Sequence, residues 1–211
     1  MAERLAGLGH AVTVGTRDPQ ATLARTGADA MGNAPFAAWS AANAGIDVAR
    51  FADAAAGAEL IVNATNGGAS LDVMAQAGAE NLDGKAILDI ANPLDFSNGM
   101  PPTLFVKDTD SLGEQIQRAF PAARVVKSLN TLNADLMANP GQLSEASTVF
   151  VSGNDADAKH TVTVLLKGFG HQDVIDLGDI TTARGTEMLL PVWLRLWGAL
   201  GTPVFNFKIV R

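Results

Sequence analysis

The sequence predicts an α/β protein with a mostly parallel, doubly wound sheet. Three observations carry that expectation. Short apolar runs rich in Val, Ile and Leu alternate with helical patterns along the chain, the arrangement that packs helices on both faces of a parallel sheet. Two of those runs, Glu59–Thr65 and Ala86–Ala91, are apolar without alternation, as expected of strands covered on both faces. Each then ends in polar or turn-forming residues, Asn63-Ala64-Thr65-Asn66-Gly67-Gly68 and Asn92-Pro93. In such sheets ligands lie beyond the carboxyl ends of the strands, so the strand exits are where function is sought.

Element by element, Ala2–Gly9 reads as the last turns of a helix with Gly9 as a left-handed cap. Val12-Thr13-Val14 is a β-branched strand leading to Gly15-Thr16-Arg17-Asp18-Pro19. Asp18 as N-cap and Pro19 at the first helical position start a short helix to Ala24. Residues 27–45 are rich in Ala, Asn and Gly, and predict an irregular excursion with one short helix. A weak strand at Ile46–Phe51 and a helical turn at Ala52–Ala56 come next. After the Glu59–Thr65 strand come a helix from Leu71 to about Glu80, the turn Asp83-Gly84 and the Ala86–Ala91 strand, together a parallel crossover. Ser111 and Glu114 have capping-box spacing at the head of a helix to Phe120. Strands are then expected at Arg124–Leu129, Thr148–Ser152 and Val174–Leu177, with a helix at Asp155–Lys167. A final helix runs from near Thr181 to Leu200, kinked or broken at Pro191.

Composition narrows the function. The 211 residues suffice for one sizeable core. A net charge of -7 argues against nucleic acid and anionic membranes, which select a basic face, and leaves small molecules as the expected partners. With no cysteine, thiolate metal sites, disulfides and cysteine nucleophiles are excluded. His10, His160 and His171 lack metal-ligand spacing and are expected at the surface or in caps. The start Met1-Ala2-Glu3-Arg4 lacks a signal-peptide pattern, so a cytoplasmic protein is expected.

Four exits form the candidate constellation: Gly15-Thr16-Arg17, Asn63-Ala64-Thr65-Asn66, Ala91-Asn92-Pro93-Leu94 and Leu129-Asn130-Thr131-Leu132-Asn133. At the first, a hydroxyl followed by Arg suits the 2'-phosphate of NADP, where an acidic residue would suit a free 2'-hydroxyl; a strand ending in an ordinary surface Arg is the alternative. Asn and Thr at the other exits can bond ribose hydroxyls or a carboxamide, and singly each is also an ordinary turn or cap. There is no Tyr, no Gly-x-Ser-x-Gly elbow, no Lys in a phosphate loop and no obvious carboxylate pair at a strand exit. No residue is therefore assigned as catalytic, and none as a metal ligand. Hydride transfer fits, because there the protein mainly fixes distance and orientation.

The segments Gly15-Thr16-Arg17-Asp18-Pro19, Ala58–Thr65, Asp89-Ile90-Ala91-Asn92-Pro93 and Val126–Ala134 resemble the NADP oxidoreductases of the coenzyme F420-dependent type, over nearly the whole chain. Lys127–Asn133 is similar also to the NADPH-binding domain of six-transmembrane metalloreductases. The resemblance implies a Rossmann domain (1–180) binding NADP(H), a small C-terminal helical and dimerisation segment (181–211), and a homodimer. It further implies that Thr16 and Arg17 hold the 2'-phosphate. Ala64, Thr65, Asn92 and Pro93 would line the path from pyrophosphate to nicotinamide, and Asn130 and Thr131 would lie near nicotinamide and acceptor. The expected activity is hydride transfer between NADP(H) and a flavin-like acceptor, F420 first, without a dedicated acid or base. An NADPH-dependent reductase of another small or metal-chelate acceptor, or an inactive dinucleotide-binding module, are the alternatives. The family's opening strand and Gly-x-Gly-x-x-Gly are lacking from the sequence as it stands, so two exposed strand edges and weak NADP(H) binding are expected.

Overall fold

The computed structural model describes residues 1–28, 32 and 34–211. Helix α1 (Ala2–Gly7) leads to strand β1 (Thr13–Thr16), followed by α2 (Pro19–Leu23), α3 (Phe36–Ala42), β2 (Asp47–Arg50) and α4 (Phe51–Gly57). Then come β3 (Leu60–Asn63), α5 (Ser70–Ala77), α6 (Ala79–Leu82), β4 (Ala86–Asp89) and a two-residue antiparallel hairpin, β5 (Leu94–Asp95) with β6 (Thr103–Leu104). The second half holds α7 (Leu112–Ala119), β7 (Arg124–Ser128), α8 (Ala134–Ala138), β8 (Thr148–Gly153), α9 (Ala156–Phe169), β9 (Asp173–Gly178), α10 (Ala183–Met188) and α11 (Leu190–Leu200). The excursion expected at 27–45 falls partly outside the described residues, and its one short helix is α3.

The strands form a five-stranded sheet in the order β3-β4-β7-β8-β9 and a separate pair, β1-β2. Within these two sheets all neighbours are parallel except β7 and β8. The doubly wound α/β class read from the sequence is thus the architecture observed. β1 and β3 do not pair, and the burial records it. Ile87, Leu88, Val125 and Val126 in β4 and β7 are essentially inaccessible, whereas Leu60, Ile61 and Val62 of β3 are half-buried. The fully buried strand expected at Glu59–Thr65 is therefore an edge strand, paired with β4 on one side only and half-buried.

Helices bridge what strands do not. On one face α4 packs its Phe51 and Ala54 against Gly15 of β1, where a Cβ would lie 3.2 Å from the Phe51 ring. Phe51 and Ala55 of the same helix share a core with Ile61, Val73, Ile87 and Ile116. On the other face Met1 and Leu5 of α1 pack with Leu60, Val62 and Leu165 onto the core around Leu88 and Val126. Arg4 of α1 donates to the carbonyl of Gly168 (3.2 Å), and Glu3 accepts from the Trp39 indole of α3. The β1-β2 pair is thereby held to the main body from both faces.

Start signals with a side-chain mechanism hold. Asp18 and Ser111 each accept a backbone N–H of their helix, and Asp155 does the same at the head of α9. Two helices depart from the pattern. The one expected at 71–80 is interrupted by Gly78 (φ 91) and becomes α5 and α6. The C-terminal one divides at Leu189, so that Pro191 stands in the first turn of α11, where its missing N–H costs nothing. His171 is not a surface or cap residue. It is 2% exposed, its Nε2 lies 3.0 Å from the Met137 carbonyl, and burial pushes its pKa below the usual 6.5.

Candidate functional site

Three of the four predicted exits meet. Asn92, after β4, and Asn130, after β7, are bonded to each other twice. Asn92 Nδ2 donates to the Asn130 carbonyl (2.9 Å), and Asn130 Nδ2 donates to Asn92 Oδ1 (3.0 Å). The second Asn130 Nδ2 proton goes to the Thr186 carbonyl of α10 (3.1 Å). Asn130 Oδ1 accepts nothing among the described residues, and Asn92 Nδ2 keeps one proton over. Thr131 and Pro93 are buried beside this couple. The turn after β3 presses on the same place, since a Cβ on Gly67 would lie 1.9 Å from the Asn92 carbonyl oxygen. Only a residue without a side chain fits there.

The β3 exit is tied in through a buried polar chain. Thr65 Oγ donates to Asn63 Oδ1 (2.7 Å), and Asn63 Nδ2 donates to Asp89 Oδ1 (2.8 Å). Asp89 ends β4 and also accepts the Ala91 N–H (3.1 Å). Ala64 is exposed and Thr65 half-buried. Leu129, at the β7 exit, has φ 58. A left-handed residue that is not Gly costs about 1–2 kcal/mol, and here the buried Leu129 side chain holds the turn that presents Asn130.

Thr16 and Arg17 are placed apart, on the β1-β2 pair. Thr16 Oγ bonds to the Thr22 hydroxyl (2.7 Å), and Arg17 is exposed just before the start of α2.

Beneath the Asn couple lies a charged cluster that sequence reasoning missed. Lys127 is fully buried, and its ammonium donates to Asp89 Oδ2 (2.6 Å), to the Ala91 carbonyl (2.7 Å) and to Glu187 Oε1 (2.9 Å). All three of its protons are used. Burial alone would push Lys127 down, but Asp89 and Glu187 outweigh it and hold its pKa above the ordinary 10.5. The extra negative charge is met by the start of α7, where Leu112 N–H (2.8 Å) and Gly113 N–H (3.1 Å) donate to Glu187. A carboxylate pair does therefore stand at a strand exit. Asp89 and Glu187 are 98 positions apart in sequence, and no local spacing could join them; the one available signal was a lysine inside an otherwise apolar strand. A cleft of about 520 Å³ lined by Glu114, Gln117, Arg118, Pro121, Asn154 and Thr181 runs along α7 away from the exits.

No family model matches the chain. A crystal structure of a candidate F420-dependent NADP-reductase from Arthrobacter sp. FB24 is 65% identical, over 100% of this chain and 93% of that one, with a TM-score of 0.95. Metalloreductase STEAP3 of Rattus norvegicus is 31% identical over 120 residues, 54% of this chain but only 22% of the metalloreductase. An imine reductase from Myxococcus stipitatus in complex with NADP+ is 16% identical with a TM-score of 0.59, over 94% of this chain and 58% of that one, a likeness of fold.

Proposed function

The chain belongs to the family of NADP oxidoreductases of the coenzyme F420-dependent type, and on that premise we propose that it moves a hydride between NADP(H) and a flavin-like acceptor, coenzyme F420 first. The observation that carries the reading at the site is the Asn92–Asn130 couple. Its two open positions, the Asn130 Oδ1 acceptor and the remaining Asn92 Nδ2 donor, complement a primary carboxamide, which offers one N–H pair and one carbonyl. NADP(H), when bound, supplies or takes the hydride.

The chain's own residues bind and orient. Thr16 and Arg17 present a hydroxyl and a guanidinium to a 2'-phosphate, a donor set that suits phosphate better than a free ribose hydroxyl. Exposed Ala64 and half-buried Thr65 leave the backbone after β3 approachable along the middle of the dinucleotide. Asn92 and Asn130 fix the rotation of the nicotinamide ring, and the buried Pro93 and Thr131 line the same end of the path. Holding two reacting rings at the right distance is the protein's share of such catalysis, and no side chain here needs to gain or lose a proton. The relation to the metalloreductase supports the same NADPH half-reaction while leaving room for a metal-chelate acceptor.

Calorimetric titration with NADPH and with NADH tests the cofactor assignment: NADPH is expected to bind more tightly, and Arg17→Ala to erase the difference. Equal affinities in the unaltered chain overturn it. Stopped-flow oxidation of NADPH with F420, FMN and ferric chelates in turn assigns the acceptor, with F420 expected fastest. Tight NADPH binding without turnover on any acceptor supports a dinucleotide-binding module instead.

We infer further that α11 forms a homodimer face. Trp193 stacks on Phe205 at 5.2 Å and lies 5.6 Å from Trp197, while Val192, Leu200 and Val204 beside them are exposed, an apolar surface that a partner copy would cover. Light scattering at tens of micromolar is expected to give twice the chain mass, and a monomer overturns it.

A further inference from the structure

We propose that Glu187 of α10 and Lys127 of β7 are positioning residues for the hydride-transfer end of the site, aiming the Asn92 and Asn130 side chains without touching cofactor. The proposal rests on the functional reading that these two amides face the nicotinamide.

Both arms of the Asn couple are gripped from the same cluster. Residue Ala91, immediately before Asn92, is held at both of its backbone groups. Its N–H donates to Asp89 Oδ1 (3.1 Å), and its carbonyl accepts from Lys127 Nζ (2.7 Å). The peptide plane that launches Asn92 therefore cannot rotate without breaking a bond to a buried charge. Asn130 is held from α10, whose Thr186 carbonyl takes an Nδ2 proton (3.1 Å). The next residue of that helix, Glu187, pairs with Lys127 (2.9 Å) and caps the start of α7. One turn of α10 thus reaches Asn130 through its backbone and Asn92 through Lys127. Fixing the strand exits is a task that an apolar core would not perform, because apolar contacts do not specify the rotation of a peptide plane or an amide. A cluster kept for stability alone gains little over well-packed apolar residues.

Glu187→Gln is the informative variant. It keeps the shape, removes one charge, and leaves Lys127 paired with Asp89, so the buried couple stays neutral. The expected result is a fall of about tenfold in kcat for NADPH oxidation. Affinity for 2',5'-ADP, which reads the Thr16–Arg17 end only, is expected to stay within about twofold. Hydrogen exchange of the Asn130 side-chain amide, followed by NMR, is expected to speed by about tenfold, on the premise that its slow exchange reflects its bonds to Asn92 and Thr186. Glu187→Asp keeps the charge on a side chain one methylene shorter and is expected to fall between wild type and Glu187→Gln in both readouts. Arg184→Gln, on the same helix, weakens the bond from the partly exposed Arg184 to the buried Glu114 while keeping a hydrogen-bond donor there, and controls for a loosened α10; both readouts are expected to stay as in wild type. Unchanged kcat and unchanged Asn130 exchange in folded Glu187→Gln overturn the proposal, as does an equal loss in Arg184→Gln. A wild-type chain that oxidises no NADPH counts against the functional reading, whereas amide exchange still decides the positioning role.

Discussion

Gly67 shows how much a single residue decides. Its place under the Asn92 carbonyl leaves no volume for a methyl group, so Gly67→Ala must push the β3 and β4 exits apart. Overpacking of this kind costs about 1–3 kcal/mol. Urea denaturation is expected to show that loss together with weaker NADPH binding. The neighbour Gly68, where the nearest atom to a Cβ is 3.6 Å away, is expected to tolerate Ala with little change. Lys127→Met is expected to be harsher, about 3–5 kcal/mol, because it leaves Asp89 and Glu187 as two buried charges without their counter-cation. His171 gives a pH signature. Burial holds its pKa below the usual 6.5, so the folded state resists protonation and the unfolded chain takes up the proton first. Stability is therefore full above pH 6.5 and falls as pH drops through the folded pKa. Thermal melts between pH 7 and 5 are expected to decline, and His171→Asn to flatten that part of the decline.

At the scale of elements, α7 joins a readable start to an unreadable partner. Ser111 Oγ accepts the Glu114 N–H (3.1 Å) and donates to its carboxylate (2.8 Å), the capping box legible in the spacing of the two residues. Ser111→Ala is expected to cost about 1 kcal/mol in chemical denaturation. The partner of the next two residues was not legible. The Leu112 and Gly113 amides are taken by Glu187 from α10, an encounter that depends on how the chain returns. Just before the helix, Arg118 pairs with Asp110 through two nitrogens (2.8 and 2.7 Å) and holds the Asp110 carboxyl down at about 2, against 3.8 ordinarily. Its contribution is present above pH 3.8 and lost as pH falls through 2. NMR titration of Arg118→Ala is expected to show Asp110 moving back up toward 3.8; an unmoved value removes the pair as the cause. The division of the C-terminal helix at Leu189 instead of a kink at Pro191 shows a related limit. Proline is as content in a first turn as it is disruptive in a helix interior, and the sequence holds both options.

For the whole molecule, the consequence of the strand order is a sheet in two pieces. β1-β2 and β3-β4-β7-β8-β9 share no ladder, and α1 and α4 carry the connection. Amides of β1 and β3 that face the unpaired flank have no backbone acceptor among the described residues, so hydrogen exchange is expected to be fast there and slow through β4 and β7. Uniform protection across β3 and β4 would show that the edge is covered in solution. The same division bears on function, because Thr16 and Arg17 stand on one piece and Asn92 and Asn130 on the other. A ligand that bonds to both is expected to slow exchange in β1 and β3 together.

The order of strand and helix, the caps at Asp18 and Ser111, and the polar strand exits were all present in the sequence by itself, because each depends on residues within a few positions of one another. So was the family, carried by the strand exits and the segments that lead into them. Only the tertiary structure decided that Asn92 and Asn130 form a couple, that Asp89, Lys127 and Glu187 form a buried cluster beneath it, and that β3 is an edge. The couple and the cluster rest on contacts between residues 38 to 60 positions apart. Geometry at that range is set by how packed helices and strands close on one another, and periodicity and local spacing carry no record of it.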